Sequence, residues 1–139
     1  MNFNENIDID IDLVFICSQS LNNLKEFQNK ENNLIFKSFF WERIFSDWIK
    51  IIISEDKNIN FKFLSNKKIF SLSFHIIDNK EISILNKNWL NKLGPTDVIS
   101  FPIILENELL NELLIVELGD LFISLEMASN QAKEYRNSL

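Results

Sequence analysis

Few side chains in these 139 residues have types and spacing that could do chemistry. His75 is the single histidine and Cys17 the single cysteine, and they lie far apart in sequence. A lone histidine on the polar side of an alternating stretch reads as a hydrogen-bonded structural residue sooner than as a ligand. A cysteine closing an apolar run reads as inert core. The sequence holds no H-E-x-x-H, C-x-x-C, G-x-G-x-x-G, P-loop or nucleophile-elbow pattern. Asp8, Asp10 and Asp12 recur at steps of two, which puts three carboxylates on one strand face. They could hold a metal ion, but such a row is more often the solvated side of an edge strand, where charge deters aggregation. Two polar strings remain: LNKNWLNKLGPTDVISFP, residues 85–102, and ELGDLFISLEMA, residues 117–128. Each has the form of an element end, a polar turn and a second element. Asp97 is placed to cap the turn after Pro95, and Asp120 to do the same after Gly119. Ser124 is placed to cap a following helix.

The elements that must position these residues are legible from periodicity. Ile7 to Ile16 alternates apolar residues with aspartates and predicts a strand with one buried face. Residues 18–33 are polar, with Leu21, Leu24 and Phe27 at helical spacing, and predict a short helix or ordered loop. A strong helix is expected over Ser38 to Ile52. Phe40, Trp41, Ile44, Phe45, Trp48, Ile51 and Ile52 form its apolar stripe, and both tryptophans are assigned to the core. Residues 54–68 are polar around a Phe61–Phe63 alternation. From Ile69 a strand alternates Phe70, Leu72, Phe74 and Ile76 against Ser71, Ser73 and His75. Asp78 and Glu81 then form a capping box for a helix with Ile82, Leu85 and Trp89 on one face. Gly94 and Pro95 stop that helix. Val98 to Phe101 predicts a short strand ended by Pro102. Residues 103–118 read as a hairpin arm or loop, and Leu121 to Ile123 as another strand. The last helix carries Leu125, Ala128, Ala132 and Tyr135 on one face. Four or five strands with three or four helices give a single α+β domain over 1–139, a mixed sheet of about four strands packed against helices.

Composition bounds the function. The chain is 46% hydrophobic and 24% charged, with 2 Gly and 2 Pro, which fits a globular domain and excludes a disordered or collagen-like chain. No apolar run reaches the length of a membrane span, and the acidic start MNFNENIDID is no secretory signal. A reducing, cytoplasmic setting with no membrane partner is therefore expected. Net charge is −6, which excludes nucleic-acid binding through bulk electrostatics. The charge is uneven. Residues 61–100 hold 6 basic and 3 acidic groups, net +3, while the stretches before and after are net −4 and −5. The middle third is the positive part.

Composition and periodicity by themselves indicate a soluble α+β domain, and two motif strings indicate more. Asp78 with its capped helix, then Leu85-Asn86-x-x-Trp89, then Pro95-Thr96-Asp97-Val98-Ile99-Ser100-Phe101-Pro102, then Gly119-Asp120-Leu121-Phe122-Ile123-Ser124, resembles the YbeY endoribonuclease family. The match covers about residues 69–139, and the N-terminal half fits in outline. The resemblance implies a zincin-like fold, a metal-dependent hydrolase cutting single-stranded ribosomal RNA, and roles in rRNA processing and ribosome biogenesis. It implies ribosomal RNA and the small ribosomal subunit as partners. It also implies zinc, held by three histidines in H-x-x-x-H-x-x-x-x-x-H, with an open position for an acidified water.

Two departures matter. That histidine motif is expected after the helix begun by Ser124, and the sequence reaches Leu139 without it. The final metal-binding helix is thus expected to be missing, and no zinc in these residues. The second departure is Leu90, where the family has an arginine after the aromatic residue. Lys87 and Lys92 lie near enough to contact RNA in its place, although a lysine does not reproduce the arginine fork. Asp97, Asp120 and Ser124 are then family-motif residues near the site that stabilise turns. Without the last helix, Phe70–Leu72–Phe74 and Leu121–Ile123 are expected to lose cover, leaving the chain marginally stable. The alternative is a non-catalytic, degenerate family member or fragment that is at most a ribosome- or RNA-binding module.

Overall fold

Strand and helix follow the two apolar periods in the sequence, and a computed structural model describes residues 8–27, 32–55, 67–103 and 112–135. The alternating run forms β1, Ile9–Cys17, with inward positions half-buried and outward positions exposed. Short 3₁₀ turns follow, among them Gln19–Asn23, Lys25–Phe27 and Leu34–Phe36. Then come α1 (Ser38–Glu55), β2 (Lys68–Ile77), α2 (Asn79–Leu90), β3 (Val98–Pro102), β4 (Ile115–Ser124) and α3 (Leu125–Glu134). The expected Phe61–Phe63 alternation and most of the arm after Ile103 lie outside the described residues.

The sheet order is β1-β2-β4-β3. β1, β2 and β4 are parallel, and β3 runs antiparallel to β4. Parallel pairing needs a crossover, which α1 supplies between β1 and β2. This is the mixed four-stranded α+β architecture expected from the sequence.

One face of the sheet packs against α1 and the 3₁₀ turns. Phe74 lies there at 0% exposure, among Phe15, Trp41 and Phe45, with ring centroids 5.9, 4.5 and 5.2 Å away. The Trp41 indole N–H donates to the Ile35 carbonyl at 2.8 Å, so its polar end is satisfied inside the cluster. A second cluster joins Ile49 and Ile53 of α1 to Phe70 and Val116.

Several expectations need correction. The buried stripe of α1 is Phe45, Ile49 and Ile53; Trp48, Ile51 and Ile52 are 51–61% exposed. Residues 115–118 belong to a strand, not to an arm, because β4 begins at Ile115. Phe70, Leu72 and Phe74 do not lack cover: α1 lies over them, and each is at most 8% exposed. The thinly covered face is the opposite one. There α2 covers the end of the sheet through Ile77, Ile82 and Ile99, while Val14 and Ile16 of β1 stay exposed.

The phase of β4 is set by a bulge. Ser71 pairs with Glu117 and Leu72 with Gly119, so one extra residue enters β4 at this point. Val116, Leu118, Leu121 and Ile123 can then all pack toward α1 despite the break in alternation.

Candidate functional site

Ser124 is fully buried at the junction of β4 and α3 and ties three elements together. Its hydroxyl accepts from the Met127 N–H at 3.3 Å, capping α3 as the sequence predicts, and donates to Asn79 Oδ1 at 2.7 Å. Its backbone N–H donates to the Asp97 carbonyl at 2.8 Å. Asp97 therefore sits beside Ser124, at the start of β3. Its carboxylate accepts from the Val98 N–H at 2.9 Å, from Thr96 Oγ1 at 3.2 Å and from Gln131 Nε2 at 3.3 Å. Burial pushes the Asp97 carboxyl up, but these hydrogen bonds outweigh it and hold the group below its ordinary value. Asp97 is thus engaged as a charged acceptor fixing the turn before β3.

Asp120 does not cap a turn after Gly119. It lies inside β4, paired in register with Ser73 and Phe101. Strand alternation places Asp120, Phe122 and Ser124 on the face turned to α2. Asp97 and Ser124 are brought together; Asp120 lies four residues back along the same strand.

His75 packs against Phe122 on this face, with ring centroids 4.2 Å apart and planes 18° apart. Both line an open groove of about 340 Å³ with Ile16, Ser18, Ile77, Glu81, Ile84 and Leu85. Glu81 is not a free base. It closes the capping box with Asp78, and it accepts from Ser18 Oγ at 2.9 Å and Ser20 Oγ at 3.3 Å. Burial lowers the His75 pKa from its ordinary value, and the Asp120 charge opposes this. The unfolded chain then binds a proton more readily than the folded one. The stability contributed by neutral His75 is fully present above pH 6.5 and is lost as pH falls below it. Urea unfolding midpoints should accordingly drop between about pH 7.5 and 5.5, and His75→Phe should flatten that drop; an equal drop in the variant would remove His75 as its cause.

Lys87 lies on the exposed side of α2, and Lys92 is exposed in the turn after it. Asn91 ends the helix in the left-handed conformation, at φ 51°. Lys92 donates its backbone N–H to the Asn86 carbonyl at 3.2 Å, and Asn86 Nδ2 donates to the Gly94 carbonyl at 3.0 Å. Asn86 is 5% exposed, so a buried amide clamps this turn. Periodicity alone does not single out Asn86. The signal it carries is its spacing, four residues after Ile82 on the buried side of the helix. Trp89, assigned to that side, is instead 69% exposed.

The aspartate row of β1 is the solvated side of an edge strand. Lys67 pairs with Asp10 at 3.3 Å and Asp8 at 3.8 Å, and its pKa is raised, chiefly by the hydrogen bond to Asp10. Cys17 is half-buried against the core. Among the described residues no three His, Cys, Asp or Glu side chains gather as a metal site. With one His stacked on a phenylalanine, the residues present do not fit a three-histidine zinc centre.

A family model described as Endoribonuclease YbeY matches residues 25–139. The chain belongs to the YbeY endoribonuclease family. Curated relatives agree. An Endoribonuclease YbeY of Prochlorococcus marinus (strain MIT 9515) is 50% identical over 136 residues, covering 97% of this chain and 75% of that protein. One from Caldicellulosiruptor bescii is 40% identical over 97 residues, covering 66% of this chain and 61% of that protein. One from Synechococcus sp. (strain CC9605) is 33% identical over 99 residues, covering 71% and 60%. The region matched by the family includes the Asn86 clamp, the Asp97–Ser124 junction and the Lys87–Lys92 turn. No described helix is long and apolar enough to cross a membrane.

Proposed function

We propose that these residues form the scaffold and RNA-facing surface of a zinc-dependent, single-strand-specific endoribonuclease of ribosomal RNA maturation, working in the cytoplasm on the small ribosomal subunit. The observation that carries this reading is the family match over residues 25–139. In it, Asp97 and Ser124 act by position: they fix β3 and α3 against the end of α2. Asp120 contributes a carboxylate to the groove side of the sheet. Lys87 and Lys92 offer charge to the phosphate backbone. Zinc would supply the acidified water that attacks the phosphodiester, and this chain's single histidine cannot hold it. The 139 residues are therefore expected to bind RNA without cutting it.

Leu90, in place of the family's arginine, also favours a second reading, a family member that binds RNA or the ribosome without hydrolysis. One experiment separates the outcomes. The 139-residue chain, purified without a histidine tag, is incubated with single-stranded RNA with and without zinc, and its metal content is measured. Well under one zinc per chain and intact RNA are expected. Cleavage with one tightly held zinc per chain would overturn the account of these residues. The coding DNA beyond Leu139 then decides between the readings: H-x-x-x-H-x-x-x-x-x-H in any frame marks an enzyme, and its absence favours the binding module.

A further inference from the structure

The turn between α2 and β3 concentrates features that suit an unpaired base. Trp89 is 69% exposed at the last turn of α2, a costly place for a large aromatic ring with nothing stacked over it. The ring is buttressed from below. It meets Phe101 edge-on at 5.7 Å and 71°, Phe101 meets Phe122 at 5.8 Å and 84°, and Phe122 stacks on His75 at 4.2 Å. A line of four rings thus runs from the groove to the surface and ends in Trp89. The backbone beneath is held by buried Asn86, which bonds Gly94 through its side chain and Lys92 through its carbonyl. Between Glu81 and Asp97 the sequence holds no acidic residue, only Lys87 and Lys92, although the chain as a whole is net −6. Neither lysine forms an ion pair among the described residues. An exposed, braced ring in a segment whose only charged residues are these two exposed lysines, in a chain that is net acidic, is complementary to a single strand of nucleic acid. It offers a face to a base and positive charge nearby for the phosphates.

We propose that Trp89 is a base-stacking residue for single-stranded RNA, with Lys87 and Lys92 of the same segment as phosphate contacts along the strand. This deepens the functional reading above and rests on its RNA substrate, but it requires no hydrolysis. The double-stranded form is excluded from the platform because its bases are already stacked on one another.

The test is binding of the 139-residue chain, in EDTA, to a fluorescein-labelled single-stranded oligoribonucleotide of about 12 nucleotides. A duplex of the same length and an oligonucleotide with abasic sites serve as probes beside it. Trp89→Ala should weaken single-strand binding roughly 5- to 100-fold, and Trp89→Phe should recover most of it. The abasic probe should bind the wild-type chain more weakly and should lose little further on Trp89→Ala. Charge reversal of Lys87 and Lys92 should weaken binding and flatten its salt dependence, by roughly 0.7 in slope for each phosphate no longer neutralised. If the wild-type chain binds RNA and Trp89→Ala binds equally well, the stacking proposal is overturned while the RNA reading stands. If the wild-type chain binds abasic and ordinary strands alike, the proposal fails by a measurement that needs no variant. If it binds no single-stranded RNA at all, the RNA reading falls and the stacking proposal with it.

Discussion

Phe74→Ala is expected to destabilise the chain by about 3–5 kcal/mol, the usual cost of removing a fully buried phenylalanine ring. Phe74 is 0% exposed and packs among Phe15, Trp41 and Phe45, so its removal leaves a cavity bounded by other large rings. Those rings sit on β1 and on two turns of α1, and no one of them can fill the space without leaving its own partners. A typical domain has a net stability of about 5–15 kcal/mol. The variant should therefore unfold at much lower urea, with loss of the near-ultraviolet signal of Trp41. Trp48→Ala is the control. Trp48 is 51% exposed and leans edge-on against Phe45, so its removal should cost far less. Equal costs at the two sites would mean that the core is not centred where β2 meets α1.

That contrast shows where periodicity misleads and why. α1 carries apolar residues nearly all round, so its spacing admits more than one stripe. Phe45 belongs to both the expected and the observed stripe. Trp48, Ile51 and Ile52 belong only to the expected one, and the sheet takes Ile49 and Ile53 instead. Periodicity fixes a helix's existence better than its rotation when polar residues are too few to mark the outside. β2 shows the opposite case: Phe70, Leu72, Phe74 and Ile76 alternate without a break, and all four fall on one buried face. The N-caps of α2 and α3 are equally legible, because a helix cap is a local event. Asp78 with Glu81, and Ser124, each follow from two or three neighbouring residues. The groove is not legible. It joins Ile16, His75, Glu81 and Phe122, residues that only the strand order brings together. Trp89 departs from expectation for a related reason. Its spacing from Ile82 and Leu85 is right for the buried face, but α2 covers only the end of the sheet through Ile82 and Leu85 and leaves Trp89 at the surface.

The half-legible strand β4 leads to the second large effect. The alternation after Ile115 breaks at Leu118-Gly119-Asp120, and for that reason only Leu121 to Ile123 reads as strand. The break is the bulge, and Gly119 makes it possible. Its φ is +113°, a conformation that side-chain-bearing residues rarely adopt, and a Cβ there would overlap the Phe101 carbonyl oxygen. The backbone conformation alone would cost alanine roughly 1–3 kcal/mol. The clash adds to this, because the overlapped atom is backbone of the paired strand β3 and cannot swing aside. Gly94 separates the two effects. It also has positive φ, at +86°, but nothing lies within 4 Å of its would-be Cβ, so Gly94→Ala carries the conformational cost without the clash. Gly119→Ala should therefore lower the thermal midpoint clearly more than Gly94→Ala. It should also act at a distance. Pushing the Phe101 carbonyl away shifts the ring that braces Trp89 and opens its packing with Phe122. Both thermal midpoint and single-stranded RNA affinity should fall in Gly119→Ala, measured at a temperature where the variant is still folded. Equal midpoints for the two alanine variants would mean that β3 moves freely against β4. A lowered midpoint with unchanged affinity would mean that Trp89 needs no brace from the sheet.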